Sequence, residues 1–286
     1  MVSVVIPAYN ENNAIAATVQ QVAETLKTCC GENYEVIVVD DGSSDDTGAV
    51  AMEAGARVVR HPHNVGYGKA LKSGIGAAEY DTIVITDADG TYPIDHIPVL
   101  LEKFSEGFDM VVGARTGDHY KESALKWPMR LLLRFLVEWT AGRRIPDINS
   151  GLRVFSKSAV TGYFSHLCDT FSFTTSLTLA YMMTGRFVTY LPIPYAKRIG
   201  KTKVRLWRDS LRTLQFIVQA ITYYNPLKIY LLMALLCSLI SVVAFMGGLA
   251  FHLATAFLLC VGAMLVGILV FALGLLADLL RQIMAK

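Results

Sequence analysis

The sequence predicts an α/β protein. Its architecture is a doubly wound, largely parallel sheet, followed by an amphipathic interfacial helix and a C-terminal two-helix transmembrane hairpin. Three observations carry this. Short β-branched runs such as Glu35–Val39 and Thr82–Thr86 alternate with stretches of helical period, the pattern of repeated β-α units around strands buried on both faces. Three of those runs end in acidic or amide-rich turns. Near the end of the chain, Ile229 to Ala277 contains no Asp, Glu, Lys or Arg.

Each element has its own signal. Val2 to Ile6 reads as a strand closed by Pro7. Ile15, Val19, Val22 and Leu26 recur at helical spacing over Ala14–Leu26, with Asn12 or Asn13 as N-cap. Glu35–Val39 is the second strand. Ser44-Asp45-Asp46-Thr47 caps a helix that reaches Ala54, and Arg57–Arg60 is a third, weaker strand. Gly66–Ala78 is a helix opened by a Gly-rich turn, Thr82–Thr86 a buried strand, Ile97–Phe104 a helix, and Met110–Val112 continues the sheet. A further helical stretch spans Trp127–Thr140, with Pro128 in its first turn.

Composition bounds the rest. At 286 residues the chain suits one medium domain and a smaller part, and its formal net charge of +2 selects no partner. The distribution of charge says more. The segment from Arg186 to Arg212 is strongly basic, with Asp209 its one acid. The stretch after it lifts the mean hydropathy to +0.42. One helix over Ile229–Ala277 would be ~74 Å long, against a hydrocarbon core of about 30 Å. Two crossings are therefore expected, turning near Gly247-Gly248 and His252. Lys228 precedes the spans, and Arg281 and Lys286 follow them, so both ends are expected in the cytoplasm. Just upstream, Leu206–Tyr224 pairs an apolar face with Arg208 and Arg212 and carries Trp207, Tyr223 and Tyr224 at its ends, the pattern of a helix lying in the headgroup layer. Expected domains are 1–204 (cytoplasmic), 205–226 (juxtamembrane helix) and 227–286 (hairpin). Five cysteines without C-x-x-C spacing predict reduced thiols, with neither zinc nor a disulfide framework, and the N-terminus predicts no secretory signal. The six histidines show no ligand spacing.

In a parallel sheet, the turns after the strands line one rim, where open α/β sheets bind ligands. Asp87-Ala88-Asp89-Gly90 follows Thr82–Thr86 and sets two hard oxygen donors one residue apart, suited to Mg²⁺ or Mn²⁺ with substrate phosphates completing the shell. Ala8-Tyr9-Asn10-Glu11 and Asp40-Asp41-Gly42-Ser43 suit a nucleoside. There Asp40 would accept from a base N–H or ribose hydroxyl, and Tyr9 would pack on the ring. At the start of the Gly66–Ala78 helix, backbone N–H groups and Lys69 favour phosphate.

These motifs, PAYNE (Pro7–Glu11), DDGSSDDT (Asp40–Thr47), NVGYGKA (Asn64–Ala70) and DADG (Asp87–Gly90), resemble those of family 2 glycosyltransferases of the GT-A fold. VVGAR (Val111–Arg115), DINSGLRVF (Asp147–Phe155) and RIGKTK (Arg198–Lys203) narrow the likeness to the dolichyl- or polyprenyl-phosphate sugar synthase branch. The resemblance covers roughly residues 1–205. It implies donor contacts at Pro7, Ala8, Tyr9, Glu11, Asp40, Gly42, Lys69, Asp87 and Ala88, and metal ligation by Asp87 and Asp89. Thr91 departs from it, standing where many of that branch carry a Gln that joins the metal shell.

Arginines supply what an acceptor phosphate needs. Arg130 and Arg134 share a helix face, and guanidinium forks match phosphate oxygens. The resemblance places Arg115, Arg153 and Arg198 near phosphate. Ser150-Gly151 lets the backbone pass close to a ligand, Lys203 lies in the last motif, and Asp147 is there to orient an arginine or take a proton. The expected activity is metal-dependent, inverting transfer of a hexose (glucose or mannose type) from a UDP- or GDP-sugar to polyprenyl (dolichyl or undecaprenyl) phosphate at a membrane. Asp89, Asp147 and Arg153 are at its catalytic centre. No nucleic acid partner is expected, and homo-oligomerisation is left open. The alternatives are transfer to a hydroxyl of another lipid, or a noncatalytic nucleotide-sugar-binding scaffold. A processive polysaccharide synthase fits less well, because there is no Q-x-x-R-W motif and only two spans.

Overall fold

The computed structural model describes residues 1–117, 135–196 and 206–284, and it separates into two compact units, Met1–Ile217 and Val218–Lys286. In the first, seven strands form one sheet: β1 (Val2–Ala8), β2 (Tyr34–Asp40), β3 (Arg57–Arg60), β4 (Thr82–Ile85), β5 (Met110–Thr116), β6 (Arg153–Ser156) and β7 (Val188–Pro194). Their order is β3-β2-β1-β4-β6-β5-β7. Every pairing is parallel except those of β6, which runs antiparallel between β4 and β5. The helices described are α1 (Ile15–Cys30), α2 (Thr47–Glu53), α3 (Tyr67–Ala77), α4 (Ile97–Ser105), α5 (residues 135–141), α6 (Lys157–Thr161), α7 (Phe173–Met183) and α8 (Leu206–Tyr224).

The core explains the sequence pattern. Val4, Ile6, Val36, Val38, Val84, Val111 and Val154 from the sheet pack with Ile15, Val19, Val22 and Leu26 of α1 and with Ile97 and Leu100 of α4. Each such side chain contributes about 1.5–3 kcal/mol on leaving water. The helical spacing predicted for α1 is thus its buried stripe.

Four sequence expectations are corrected. Pro7 does not close β1, which runs on to Ala8 in register with Asp40. On the other side β1 pairs with β4 only as far as Val5 opposite Ile85. Val5 O faces β4 and Ala8 O faces β2, so the alternation turns Pro7 toward the side where β4 has ended, and no ladder donor is lost. Ala14, not Asn12 or Asn13, is the N-cap of α1, and its side chain makes no cap bond. The Thr82–Thr86 strand stops at Ile85. Of the hairpin turn expected near Gly247-Gly248 and His252, only the His252 part holds, because Gly247 and Gly248 stay helical.

The second unit holds α9 (Pro226–Phe251) and α10 (Ala254–Met284), two helices long and apolar enough to cross a membrane. His252 makes the turn in the left-handed region at φ 52°. The Ser241 hydroxyl donates to Cys260 O at 2.9 Å across the pair. Leu235, Val243, Leu258 and Leu265 are all exposed, whereas a helix in a soluble core buries such a face. This exposure suits a lipid environment.

Candidate active site

β4 is buried between β1 and β6, so its C-terminal turn emerges mid-rim. There Asp89 is almost fully buried, and its Oδ1 accepts from Thr91 N at 3.1 Å and Thr91 Oγ1 at 2.6 Å. Asp87 is half-buried, and its Oδ1 accepts from the Tyr67 hydroxyl at 2.9 Å. On another side it meets Gly151, where a Cβ would stand 2.8 Å from Oδ1 and 3.0 Å from Oδ2. Gly151 N donates to Tyr92 Oη at 2.6 Å, fixing that loop in place. The glycine of Ser150-Gly151 therefore serves the close approach of a backbone to Asp87. Burial, with the nearby Asp87 carboxylate second, keeps the Tyr67 hydroxyl protonated far above the usual phenol range.

These residues fit a divalent cation. Two carboxylates in one turn are hard donors of the type Mg²⁺ or Mn²⁺ takes. Among the described residues no group of three His, Cys, Asp or Glu could hold an ion alone, so substrate oxygens and water would complete the shell. Thr91, in the position flagged as a departure, spends its hydroxyl on orienting Asp89.

The first two rim turns are tied to each other. Asn10, left-handed at φ 52°, donates its N–H to Ser43 Oγ at 3.0 Å and accepts from Ser44 N at 2.8 Å. Glu11 N donates to Thr47 Oγ1 at 2.8 Å. Pro7 and Ala8 end β1 beneath this turn, while Tyr9, Glu11 and Gly42 are half-buried along it. Asp40 is fully buried, with Oδ1 accepting from Ser43 N at 2.9 Å. Its Oδ2 lies 3.2 Å from Arg60 Nε, off the axis needed for a hydrogen bond, and has no hydrogen-bond partner. Asp41, unremarked in the sequence, is the organiser of the next loop. It accepts from Val65 N at 3.1 Å and Gly66 N at 2.8 Å, and lies 2.7 Å from His61 Nδ1. The only signal for it was its place in the Asp40-Asp41 pair.

The phosphate expectation at the start of α3 is corrected. Lys69 N already donates to Asp169 O at 2.9 Å, and a Cβ on Gly68 would stand 2.2 Å from Cys168 O. The turn is thus covered by residues 168–170, not open to a ligand. Lys72 Nζ pins the same loop, 2.6 Å from both Leu167 O and Asp169 Oδ1. Lys69 keeps an exposed side chain.

The predicted acceptor residues divide. Arg115 Nε and Nη2 donate to Asp147 Oδ2 and Oδ1 at 2.7 and 2.9 Å, and the guanidinium lies 5.3 Å from the Tyr195 ring centroid. Burial opposes the charge on Asp147, but the Arg115 hydrogen bonds and charge outweigh it and hold the carboxyl below its usual range. Asp147 thus orients an arginine, and as a weak base it is poorly suited to take a proton. Arg153 and Ser150 are corrected as phosphate contacts, because both are fully buried. Arg153 donates to Ser150 O at 2.7 Å, Ile148 O at 2.8 Å and Thr178 Oγ1 at 2.7 Å, and Ser150 Oγ donates to Gly113 O at 2.5 Å. Arg153 is a brace for residues 148–150. Burial also raises the Tyr190 hydroxyl, near Arg153, to about 12. Arg130, Arg134, Arg198 and Lys203 lie outside the described residues.

Residues 3–164 match the family model described as Glycosyl transferase family 2. The chain belongs to that family. As a family 2 glycosyltransferase it is 29% identical over 256 residues to an undecaprenyl-phosphate 4-deoxy-4-formamido-L-arabinose transferase of Klebsiella pneumoniae (strain 342), covering 87% of this chain and 74% of the relative. It is 28% identical over 207 residues to a dolichyl-phosphate hexose transferase of Haloferax volcanii, covering 71% and 86%. In three dimensions it is similar to glucosyl-3-phosphoglycerate synthase of Mycobacterium tuberculosis, with a TM-score of 0.65 and 21% identity over 77% of this chain and 79% of that one. At that identity the likeness carries the fold, which is of the GT-A type. The same synthase has been crystallised with Mn²⁺, UDP-glucose and phosphoglyceric acid.

Proposed function

We propose that this family 2 glycosyltransferase moves a hexose from a nucleotide sugar, UDP- or GDP-linked, to a polyprenyl phosphate with inversion, from a cytoplasmic domain anchored by a two-span hairpin. The observation that carries the reading is the Asp87-Ala88-Asp89 pair at the ligand rim of a chain that continues into two exposed apolar helices. Relatives named for undecaprenyl and dolichyl phosphate support the acceptor class. The synthase crystallised with Mn²⁺ and UDP-glucose supports a metal-assisted nucleotide-sugar donor.

Asp89 and Asp87 would hold Mg²⁺ or Mn²⁺, which when bound neutralises the diphosphate leaving group. The chain's own residues do the rest. Thr91 and Tyr67 fix the two carboxylates. The interlocked Asn10 and Ser43-Ser44 turns shape the nucleoside site, along which Tyr9, Glu11 and Gly42 are half-buried, while Asp40, fully buried and ion-paired with Arg60, holds the Ser43 turn rather than the ligand. An acceptor phosphate is already anionic at neutral pH, so attack on the anomeric carbon needs no strong general base. That agrees with the ion-paired state of Asp147. Arg115, oriented by Asp147, remains the described residue for the acceptor phosphate, joined by Arg130, Arg134, Arg198 and Lys203 on sequence grounds. Transfer to a lipid hydroxyl would require a base, which disfavours that alternative.

The test is a panel of UDP- and GDP-sugars offered to the purified full-length protein with polyprenyl phosphate and Mn²⁺, with the lipid product read by mass spectrometry. The panel includes pentose derivatives, because one relative is named for an arabinose. A mass increase of one hexose on the lipid phosphate supports the reading. Its absence with every donor overturns it. Asp89→Ala separates an enzyme, which loses transfer, from a scaffold, which keeps its partners.

A further inference from the structure

Tyr67 reaches Asp87 from a separate element. It opens α3, behind Gly66 at φ 114°, and its hydroxyl donates to Asp87 Oδ1 at 2.9 Å. The ring is itself held. Phe171 stacks on it at 5.4 Å between centroids and 17° between planes. The loop carrying Phe171 is fastened to α3 by Lys69 N to Asp169 O at 2.9 Å and by Lys72 Nζ to Asp169 Oδ1 at 2.6 Å. Gly151 lies close to the same carboxylate, where an added Cβ would stand 2.8 Å from Oδ1 and 3.0 Å from Oδ2.

We propose that Tyr67 is a positioning residue for the divalent cation: its hydroxyl, braced by Phe171, sets the orientation in which Asp87 meets the metal. This rests on the reading of Asp87 and Asp89 as metal ligands. A carboxylate that rotates freely loses orientational entropy on binding an ion. One already held by a donor on a rigid ring loses less and presents a fixed geometry. The hydrogen bond also survives metal binding, because a carboxylate oxygen has a second lone pair to offer. The proposal gives the packing of residues 168–171 on α3 a functional consequence.

The experiment measures Mn²⁺ binding directly. Full-length wild type and Tyr67→Phe, each with UDP and separately with GDP present, are titrated with Mn²⁺ and the free ion counted by electron paramagnetic resonance. Transfer is then measured across Mn²⁺ concentrations. Phenylalanine keeps the ring and its stack on Phe171, so the fold is preserved. Expected is a rise of about 5–20-fold in the Mn²⁺ dissociation constant, a part of the roughly 10–150-fold that one whole charge-assisted hydrogen bond represents, because Asp87 keeps its charge and remains a ligand in the variant. At saturating Mn²⁺, kcat recovers to within about threefold, a recovery that a merely structural defect would not show. A dissociation constant within twofold of wild type overturns the role of Tyr67 while leaving the metal site standing. Wild type that binds no Mn²⁺ with either nucleotide present overturns both.

Discussion

Arg115 grips Asp147 with two guanidinium nitrogens, Nε 2.7 Å from Oδ2 and Nη2 2.9 Å from Oδ1, and its own backbone N–H adds a third contact to Oδ2 at 3.1 Å. The carboxylate is almost wholly buried, and Asn149 N supplies a further bond at 3.1 Å. The pair joins β5 to the 147–151 loop that flanks Asp87. It is therefore both a structural tie and the setting of the arginine assigned to the acceptor.

Because the folded pKa of Asp147 is depressed, its stabilisation is present above the unfolded value near 4 and is lost as pH falls through the folded value. Asp45 and Asp81 are shifted the same way by hydrogen bonds from Thr47 and from Ser158 and Ser156, which outweigh burial. The melting temperature should be flat from pH 7 to about 5 and fall below roughly pH 4. Asp147→Asn should melt lower at pH 7, by about 3–5 kcal/mol of lost stability, and show a shallower acid limb. An acid limb as steep in the variant as in wild type would contradict the assignment.

Arg153→Ala should behave as a core mutation. Removing the guanidinium leaves Ile148 O and Ser150 O without these donors, at about 1–3 kcal/mol each. A fall of roughly 4–24 °C in melting temperature is expected for a unit of this size. Lys, lacking the fork, should recover little. An unchanged melting temperature with a specific loss of acceptor use would return Arg153 to the phosphate.

That revision marks the limit of what the sequence disclosed. Strands β1 to β5 were legible because β-branched runs buried on both faces leave a strong signal, and the Asp-x-Asp turn was legible because it ends one of them. β7 was missed: Pro192 and Pro194 argue against a strand, yet β7 is the sheet's edge, where missing donors are tolerated. α7 was missed because Phe173 through Tyr181 is buried throughout, which erases the amphipathic period. Asp41, Tyr67 and Phe171 act through partners 20 to 104 residues away, and no local pattern encodes such contacts. Arg153 and Ser150 were misread because a motif names a residue without saying which way its side chain points.

Gly151→Ala should cripple transfer. Its Cβ would press on the Asp87 carboxylate from 2.8 Å, and relief requires that carboxylate to turn away. Transfer is expected to fall at least about tenfold, the equivalent of ~1.4 kcal/mol, with nucleotide binding measured without metal little changed. Wild-type activity in the variant would show that Asp87 tolerates displacement.

Excess chelator should abolish transfer, and added Mg²⁺ or Mn²⁺ should restore it, because two carboxylates cannot by themselves neutralise a diphosphate leaving group. Full activity in chelator would remove the metal from the account.

The hairpin of α9 and α10 should leave both chain ends in the cytoplasm, given Lys228 before it and Arg281 and Lys286 after it. A reporter fused after Lys286 should read as cytoplasmic. An extracytoplasmic signal would refute the two-span topology.

The central claim is that the acceptor is a lipid phosphate. Full-length protein with Mn²⁺ and its best donor is offered undecaprenyl or dolichyl phosphate in one reaction and the matching polyprenol, with a free hydroxyl, in another. Sugar should appear on the phosphate and not on the alcohol. Transfer to the alcohol alone would contradict the account.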